Sequence, residues 1–251
     1  MSSLIKKEIR EHVFSRKGVW IFFAIAILFS GLTYSFVSVK ELSLLAQVEV
    51  NMTFMKALIG ISILVSIILG STMVSGEREQ GTLESLLLTP LSKVEIILSK
   101  VIGILVFWLI ISAISLPYFY ALTYGTNMLP TILAYLYLIG LPLVISFSLL
   151  SLAFSTWISS SKNATLLSII LFLVTAIPMF LSTTMKKSGF AHVIDLSSPV
   201  SASMLTLKDW LVNKLSFLTI FLDSLPVLGF LVISIICLFY ASKKMDFLGG
   251  E

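Results

Sequence analysis

The sequence predicts an all-α integral membrane protein with six transmembrane helices, and three observations carry that expectation. Of 251 residues, 57% are hydrophobic and only 12% charged, with a mean hydropathy of +1.05. A soluble domain needs more charge than this to cover its surface. The charge-free intervals then locate the spans: 22 residues between Lys17 and Lys40, 20 between Lys56 and Glu77, 61 between Lys100 and Lys162, 23 between Lys162 and Lys186, and 19 between Asp223 and Lys243. A membrane-crossing helix takes roughly 20 apolar residues, so the longest interval holds two. The third observation is the placement of the basic residues. An even number of spans puts both termini on one side, and 11 of the 17 Lys and Arg fall there: Lys6, Lys7, Arg10, Arg16, Lys17, Arg78, Lys93, Lys100, Lys162, Lys243 and Lys244. Lys40, Lys56, Lys186, Lys187, Lys208 and Lys214 fall on the other side. The positive-inside rule predicts a multi-pass cell-membrane protein with both termini in the cytoplasm.

Taken in order, residues 1–17 interleave basic and apolar groups, with Ile5, Ile9 and Val13 spaced by four beside Lys6, Lys7, Arg10 and Lys17. That pattern suits an N-terminal amphipathic interfacial helix, or a plain positive-inside anchor with helical propensity. The first apolar run is longer than a signal-peptide core and lacks a small-x-small cleavage site, so a retained span is expected at 18–39. Further spans are expected at 57–76, 100–123, 131–157, 164–184 and 222–242. In the stretch 124–130, Gly125, Asn127 and Pro130 supply turn chemistry between the third and fourth. The segment 185–222 is the largest extracytoplasmic piece. Within it, Ser198-Pro199 pairs an N-cap residue with proline at the first helical position, predicting a short helix toward Trp210. Trp210, Phe217 and Phe221 suit an interface or a re-entrant dip into the sixth span, or else simple loop packing. Pro117, Pro142, Pro178 and Pro226 fall in or beside spans three to six, where neighbouring helices accommodate a kink.

The most specific feature lies between spans two and three. Gly76-Glu77-Arg78-Glu79-Gln80-Gly81-Thr82-Leu83-Glu84 opens a polar stretch in which Glu77, Glu79, Glu84 and Glu95 supply four of the 13 acidic residues. Leu83, Leu86 and Leu87 stand at i, i+3 and i+4, so a two-turn helix opened by Thr82 would carry one apolar ridge suited to a groove. Pro90 disfavours helix at Thr89 and ends it. Ser92-Lys93-Val94-Glu95 then matches a capping box, with Leu91 and Ile96 at the staple positions, so a new helix should start at Lys93 and run into span three.

These residues, with Leu87, Thr89-Pro90, Ser92 and Lys100 further on, closely resemble the loop between spans two and three of ABC-2 type transporter permeases. The six-span layout, the amphipathic N-terminal helix and the compact outer segment resemble that family across the whole chain, less specifically. The resemblance implies one transmembrane domain over 1–251, with a cytoplasmic coupling helix in the loop 76–92 that docks on an ATPase. It assigns docking to Glu77, Arg78, Glu79, Gly81, Thr82, Leu83, Glu84, Leu86, Leu87 and Pro90. Leu83, Leu86 and Leu87 would be the hydrophobic insert, and Glu77, Arg78, Glu79 and Glu84 the polar contacts. It further implies two copies of a cytoplasmic ABC ATPase subunit that hold ATP and Mg, a second permease copy or a paralogue, and export of a substrate. A non-transporting membrane assembly or maturation factor that recruits an ATPase, for example for a metalloenzyme, is the alternative.

Several function classes lose support. There is no G-x-x-x-x-G-K-[ST] phosphate loop, so no ATP site is expected in this chain and any ATPase is a separate polypeptide. The expected spans carry no ionisable group near their centres, against ion-gradient coupling. His12 and His192, the two histidines, are expected on opposite sides, and no H-E-x-x-H occurs, against a zinc protease. His192 and Asp195 could pair on the outer face, or sit in a solvated turn. The nine methionines form no M-x-M cluster that would favour copper over ordinary apolar filling. Cys237 is the single cysteine and lies in the last span, so no intrachain disulfide forms. No basic, aromatic-interleaved patch points to nucleic acid. The expected protein partners remain those the resemblance implies, and the apolar spans imply contact with membrane lipids.

Overall fold

A computed structural model describes residues 2–37, 44–89, 92–180 and 189–243. Among these no strand occurs, and the chain is a bundle of helices. An amphipathic helix α1 (Ser2–His12) turns sharply into α2 (Arg16–Val37). Ser15 makes that corner, its Oγ accepting the Gly18 amide at 3.0 Å, while Gly18 has no room for a side chain because a Cβ there would lie 2.1 Å from the His12 carbonyl. Then follow α3 (Leu44–Met73), α4 (Ser75–Glu79), α5 (Leu83–Leu87), α6 (Lys93–Leu122), α7 (Leu129–Tyr135), α8 (Leu141–Trp157), α9 (Ser161–Phe180), α10 (Gly189–Ser197), α11 (Pro199–Lys208) and α12 (Phe217–Lys243).

Six helical stretches are long and apolar enough to cross a bilayer: Arg16–Val37, Gln47–Glu79, Lys93–Leu122, Leu129–Trp157, Ser161–Met179 and Leu218–Lys243. All six correspond to expected spans. The second starts well before the expected residue 57, because Glu49 and Lys56 interrupt the apolar run without interrupting the helix. The fourth is two helices joined by a π-helical turn at Leu136–Gly140, directly before Pro142. Proline lacks the amide and clashes with the preceding turn, and the wider turn absorbs the shift.

The centre of the bundle is α3, α6 and α8, whose apolar windows are mostly buried, whereas α2, α9 and α12 lie outside with most of their windows exposed. Small side chains set the closest crossing. Ser148, Ser151 and Ser155 recur along one face of α8, and Gly70 of α3 packs on it so tightly that a Cβ would lie 2.2 Å from Ser151 Oγ. Close backbone approach of this kind drives helix association in lipid, where apolar burial by itself contributes little. Aromatic rings join the outer helices to the centre: Phe22 stacks on Phe107 at 4.3 Å, and Phe147 of α8 meets Phe172 of α9 at 5.5 Å and Phe230 of α12 at 5.2 Å.

At the end of the bundle away from the termini, Gly125 adopts φ +81 in the turn between α6 and α7. Ser198 caps α11 as expected, accepting the Ser201 amide at 3.1 Å, and its hydroxyl donates to the Thr175 carbonyl at 2.5 Å. Since Thr175 lies inside α9, this bond holds the start of α11 against that helix. Tyr135 donates to the Ser203 carbonyl at 2.7 Å and holds α11 from the other side.

Candidate functional site

The polar stretch after span two folds as an elbow of two short helices. Helix α3 yields to α4 at Val74, where Ser155 Oγ accepts the amides of Val74 and Ser75 at 3.1 and 2.9 Å. Gly81 ends α4 at φ +69. Its amide reaches the Arg78 carbonyl at 3.1 Å while the Thr82 amide reaches the Glu77 carbonyl at 2.9 Å, the paired bonds of a Schellman cap. Gly81 therefore has a backbone role that a residue with a Cβ would fill only with strain. Helix α5 has only 5 residues, short of the expected two turns, and α6 starts at the expected capping box: the Glu95 amide donates to Ser92 Oγ at 3.2 Å and the Ser92 amide to Glu95 Oε2 at 2.9 Å. Pro90, Leu91 and the Leu87 side chain lie outside the described residues.

Charged side chains at three successive positions of α4 bond to other helices of the chain. Glu77 Oε2 lies 2.8 Å from the ammonium of Lys100 on α6, and Glu77 Oε1 lies 3.8 Å from Lys7 of α1. Arg78 Nη2 donates to the Thr156 carbonyl at the end of α8, 3.1 Å away. Glu79 receives the Ser161 amide at 2.8 Å and the Ser161 hydroxyl at 2.6 Å, so a carboxylate closes the N-terminus of α9 where amides lack helical partners.

Lys100 is the hub of this arrangement. It is 1% exposed, and besides Glu77 it holds Glu8 of α1, also 1% exposed, at 3.0 Å. His12 Nε2 lies 3.4 Å from the other Glu8 oxygen. Helix α1 can come this close because it crosses α6 at Gly103, where a Cβ would meet Glu8 Cβ at 3.4 Å. Burial of Glu8 opposes its ionisation, but its bonds to His12 and Lys100 and their charge outweigh that, holding its pKa below the ordinary value of 4.5.

The sequence-predicted residues are thus divided in a way that periodicity does not reveal. Of the expected hydrophobic ridge, Leu83 and Leu86 are 5% and 8% exposed and pack into this chain's own core. Glu77, Arg78 and Glu79 are occupied by intramolecular partners. What the elbow leaves outward is Thr82, Glu84, Ser85 and above all Leu88, 78% exposed. The buried face of α1 also differs from the expected stripe: Leu4, Glu8 and Val13 are buried, with Ile5 and Ile9 only half-buried. A glutamate counts as polar in any pattern, and Lys100 is 92 positions away, so neither residue signals the other. The one available hint is that Glu8 sits four residues after Leu4, on the face that an apolar residue would take.

On the opposite end, Asp195 accepts a bond from Ser201 Oγ, and the His192 side chain lies outside the described residues. Among the described residues no group of three or more His, Cys, Asp or Glu side chains is placed to hold a metal ion. A family model described as "ABC-2 family transporter protein" matches residues 2–246. Comparison with curated proteins gives no match.

Proposed function

The chain belongs to the ABC-2 transporter family, a multi-pass permease of an ABC transporter, and from that premise we propose that it exports a substrate under the drive of a separate cytoplasmic ATPase that docks on the α4–α5 elbow. Two permease chains, identical or paralogous, would carry two ATPase subunits. ATP and Mg would sit on those subunits, and both termini of the permease would face the cytoplasm of a cell-membrane assembly.

The observation that carries this reading is the division of the elbow into an exposed tip and an anchored base. A push on Glu84, Ser85 and Leu88 would pass through the Gly81 turn into α4. The base is bonded to α6 and α1 through Glu77 and Lys100, to α8 through Ser75 and Arg78, and to α9 through Glu79. The Glu77–Lys100 ion pair at 2.8 Å and the hydrogen bonds of Arg78 and Glu79 at 3.1 and 2.6 Å tie α4 to these helices, so a displaced elbow would tilt them with it. The conformational change would then be a rigid-body movement of α3 and α8, locked together at Gly70 and Ser151, against the second permease.

The test is co-purification with the cognate ATPase after L88D and E84K, substitutions on exposed positions that leave the base intact. Burying one leucine contributes roughly 1.5–3 kcal/mol, so ATPase retention should fall at least about tenfold while the permease remains monodisperse. Undiminished retention by the double variant would overturn the docking assignment. Flux into proteoliposomes separates export from a recruiting role: an assembly factor would stimulate the ATPase and move nothing.

A further inference from the structure

A cavity of about 880 Å³ opens at the end of the bundle away from the termini, walled by the second turn of α3, the turn before α7, and the π-helical turn Asp209–Asn213 with the residues after it. Its size falls within the ~300–1,000 Å³ typical of small-molecule sites. The position is informative. Candidate spans begin at Gln47, Leu129 and Leu218, and the lining residues Glu49, Met128 and Leu215 lie within three positions of those three ends. The cavity therefore lies beside the starts of three membrane-crossing helices, near the end of the bundle where a boundary between lipid tails and water would fall.

Its lining has two characters. Met128, Trp210, Val212 and Leu215 make an apolar wall, and Trp210, half-buried, is a residue type enriched at that boundary. Against this wall stand one carboxylate, Glu49, and one ammonium, Lys214, both exposed and neither in an ion pair among the described residues. Lys214 holds φ +48, a left-handed backbone that glycine adopts with less strain. That conformation ends the π-helical turn Asp209–Asn213, whose C-terminal cap is Lys214.

We propose that this cavity binds a zwitterionic bilayer phospholipid, with Glu49 on its ammonium group, Lys214 on its phosphate and the apolar wall along the first part of an acyl chain. Charge complementarity selects the class. An anionic lipid gains Lys214 but meets Glu49 as a like charge, and a soluble zwitterion leaves the apolar wall wet. The site is independent of how the elbow engages an ATPase, and binding needs no transport cycle.

The experiment is native mass spectrometry of the purified full chain, with or without its ATPase, in detergent supplemented with equimolar phosphatidylethanolamine and phosphatidylglycerol. Phosphatidylethanolamine should be retained about tenfold over phosphatidylglycerol, the effect of one charge-assisted contact. E49Q should erase that preference, K214M should lower retention of both lipids, and the reversed pair E49K/K214E should restore it. Both positions are exposed, and unchanged elution and thermal midpoint establish that the variants fold. Equal retention of the two lipids by the natural chain, or unchanged retention in both single variants, overturns the proposal. Displacement by millimolar phosphoethanolamine alone overturns the commitment to a bilayer lipid.

Discussion

Replacing Lys100 by methionine should be among the most damaging single substitutions in the chain, and the reason is geometric. Lys100 and Glu8 are each 1% exposed and 3.0 Å apart, and Lys100 also holds Glu77 at 2.8 Å. Methionine preserves most of the volume but leaves the Glu8 carboxylate buried with only His12 nearby. Breaking a buried pair from one side costs about 3–5 kcal/mol. At roughly 2–4 °C per kcal/mol for a protein of this size, the thermal midpoint in detergent should drop by about 6–20 °C. E8Q should cost less, about 1–3 kcal/mol, because Lys100 keeps Glu77. E8L/K100M should recover most of the loss, since an apolar pair can replace a buried ion pair at little cost while Glu77, 15% exposed, still reaches water and Lys7. Size-exclusion chromatography after a heating series reads all four proteins. A midpoint for K100M within 1 °C of the natural chain, or a double variant no better than K100M, would refute the hub.

Two further outcomes follow from the same contacts. Because the folded pKa of Glu8 is depressed, its ionisation stabilises the fold above its ordinary value of 4.5, and that contribution is lost as pH falls through the lower folded value. The thermal midpoint of the natural chain should therefore decline more steeply below about pH 4.5 than that of E8Q, and parallel pH profiles would contradict the assignment. G70L should force α3 off α8, since even a Cβ would lie 2.2 Å from Ser151 Oγ. Overpacking of this kind costs about 1–3 kcal/mol, and a midpoint unchanged from the natural chain would show that the crossing is looser than described.

The parts legible in the sequence are those governed by the solvent and by short range. Apolar run lengths located all six spans, because a bilayer demands about 20 uncharged residues whatever the tertiary arrangement. The Ser92–Glu95 capping box and the Ser198–Pro199 helix start were legible for a similar reason: their donors and acceptors lie within three residues of one another. The early start of α3 was not, because Glu49 and Lys56 look like a boundary when charge is the only ruler. The elbow was half legible. Spacing placed Leu83 and Leu86 on one face of a helix, but a periodic ridge is identical whether it meets a partner or the chain's own core.

The sequence by itself thus determined an all-helical membrane chain, its span count and a capped polar elbow, since hydropathy and local hydrogen bonding act over a few residues or one helix length. Only the tertiary structure decided what the elbow's side chains do. Glu77, Arg78 and Glu79 find Lys100, Thr156 and Ser161 at separations of 23, 78 and 82 positions, which no window of residues contains. Buried charge must be paired wherever the partner comes from, and it is packing that brings the partner there.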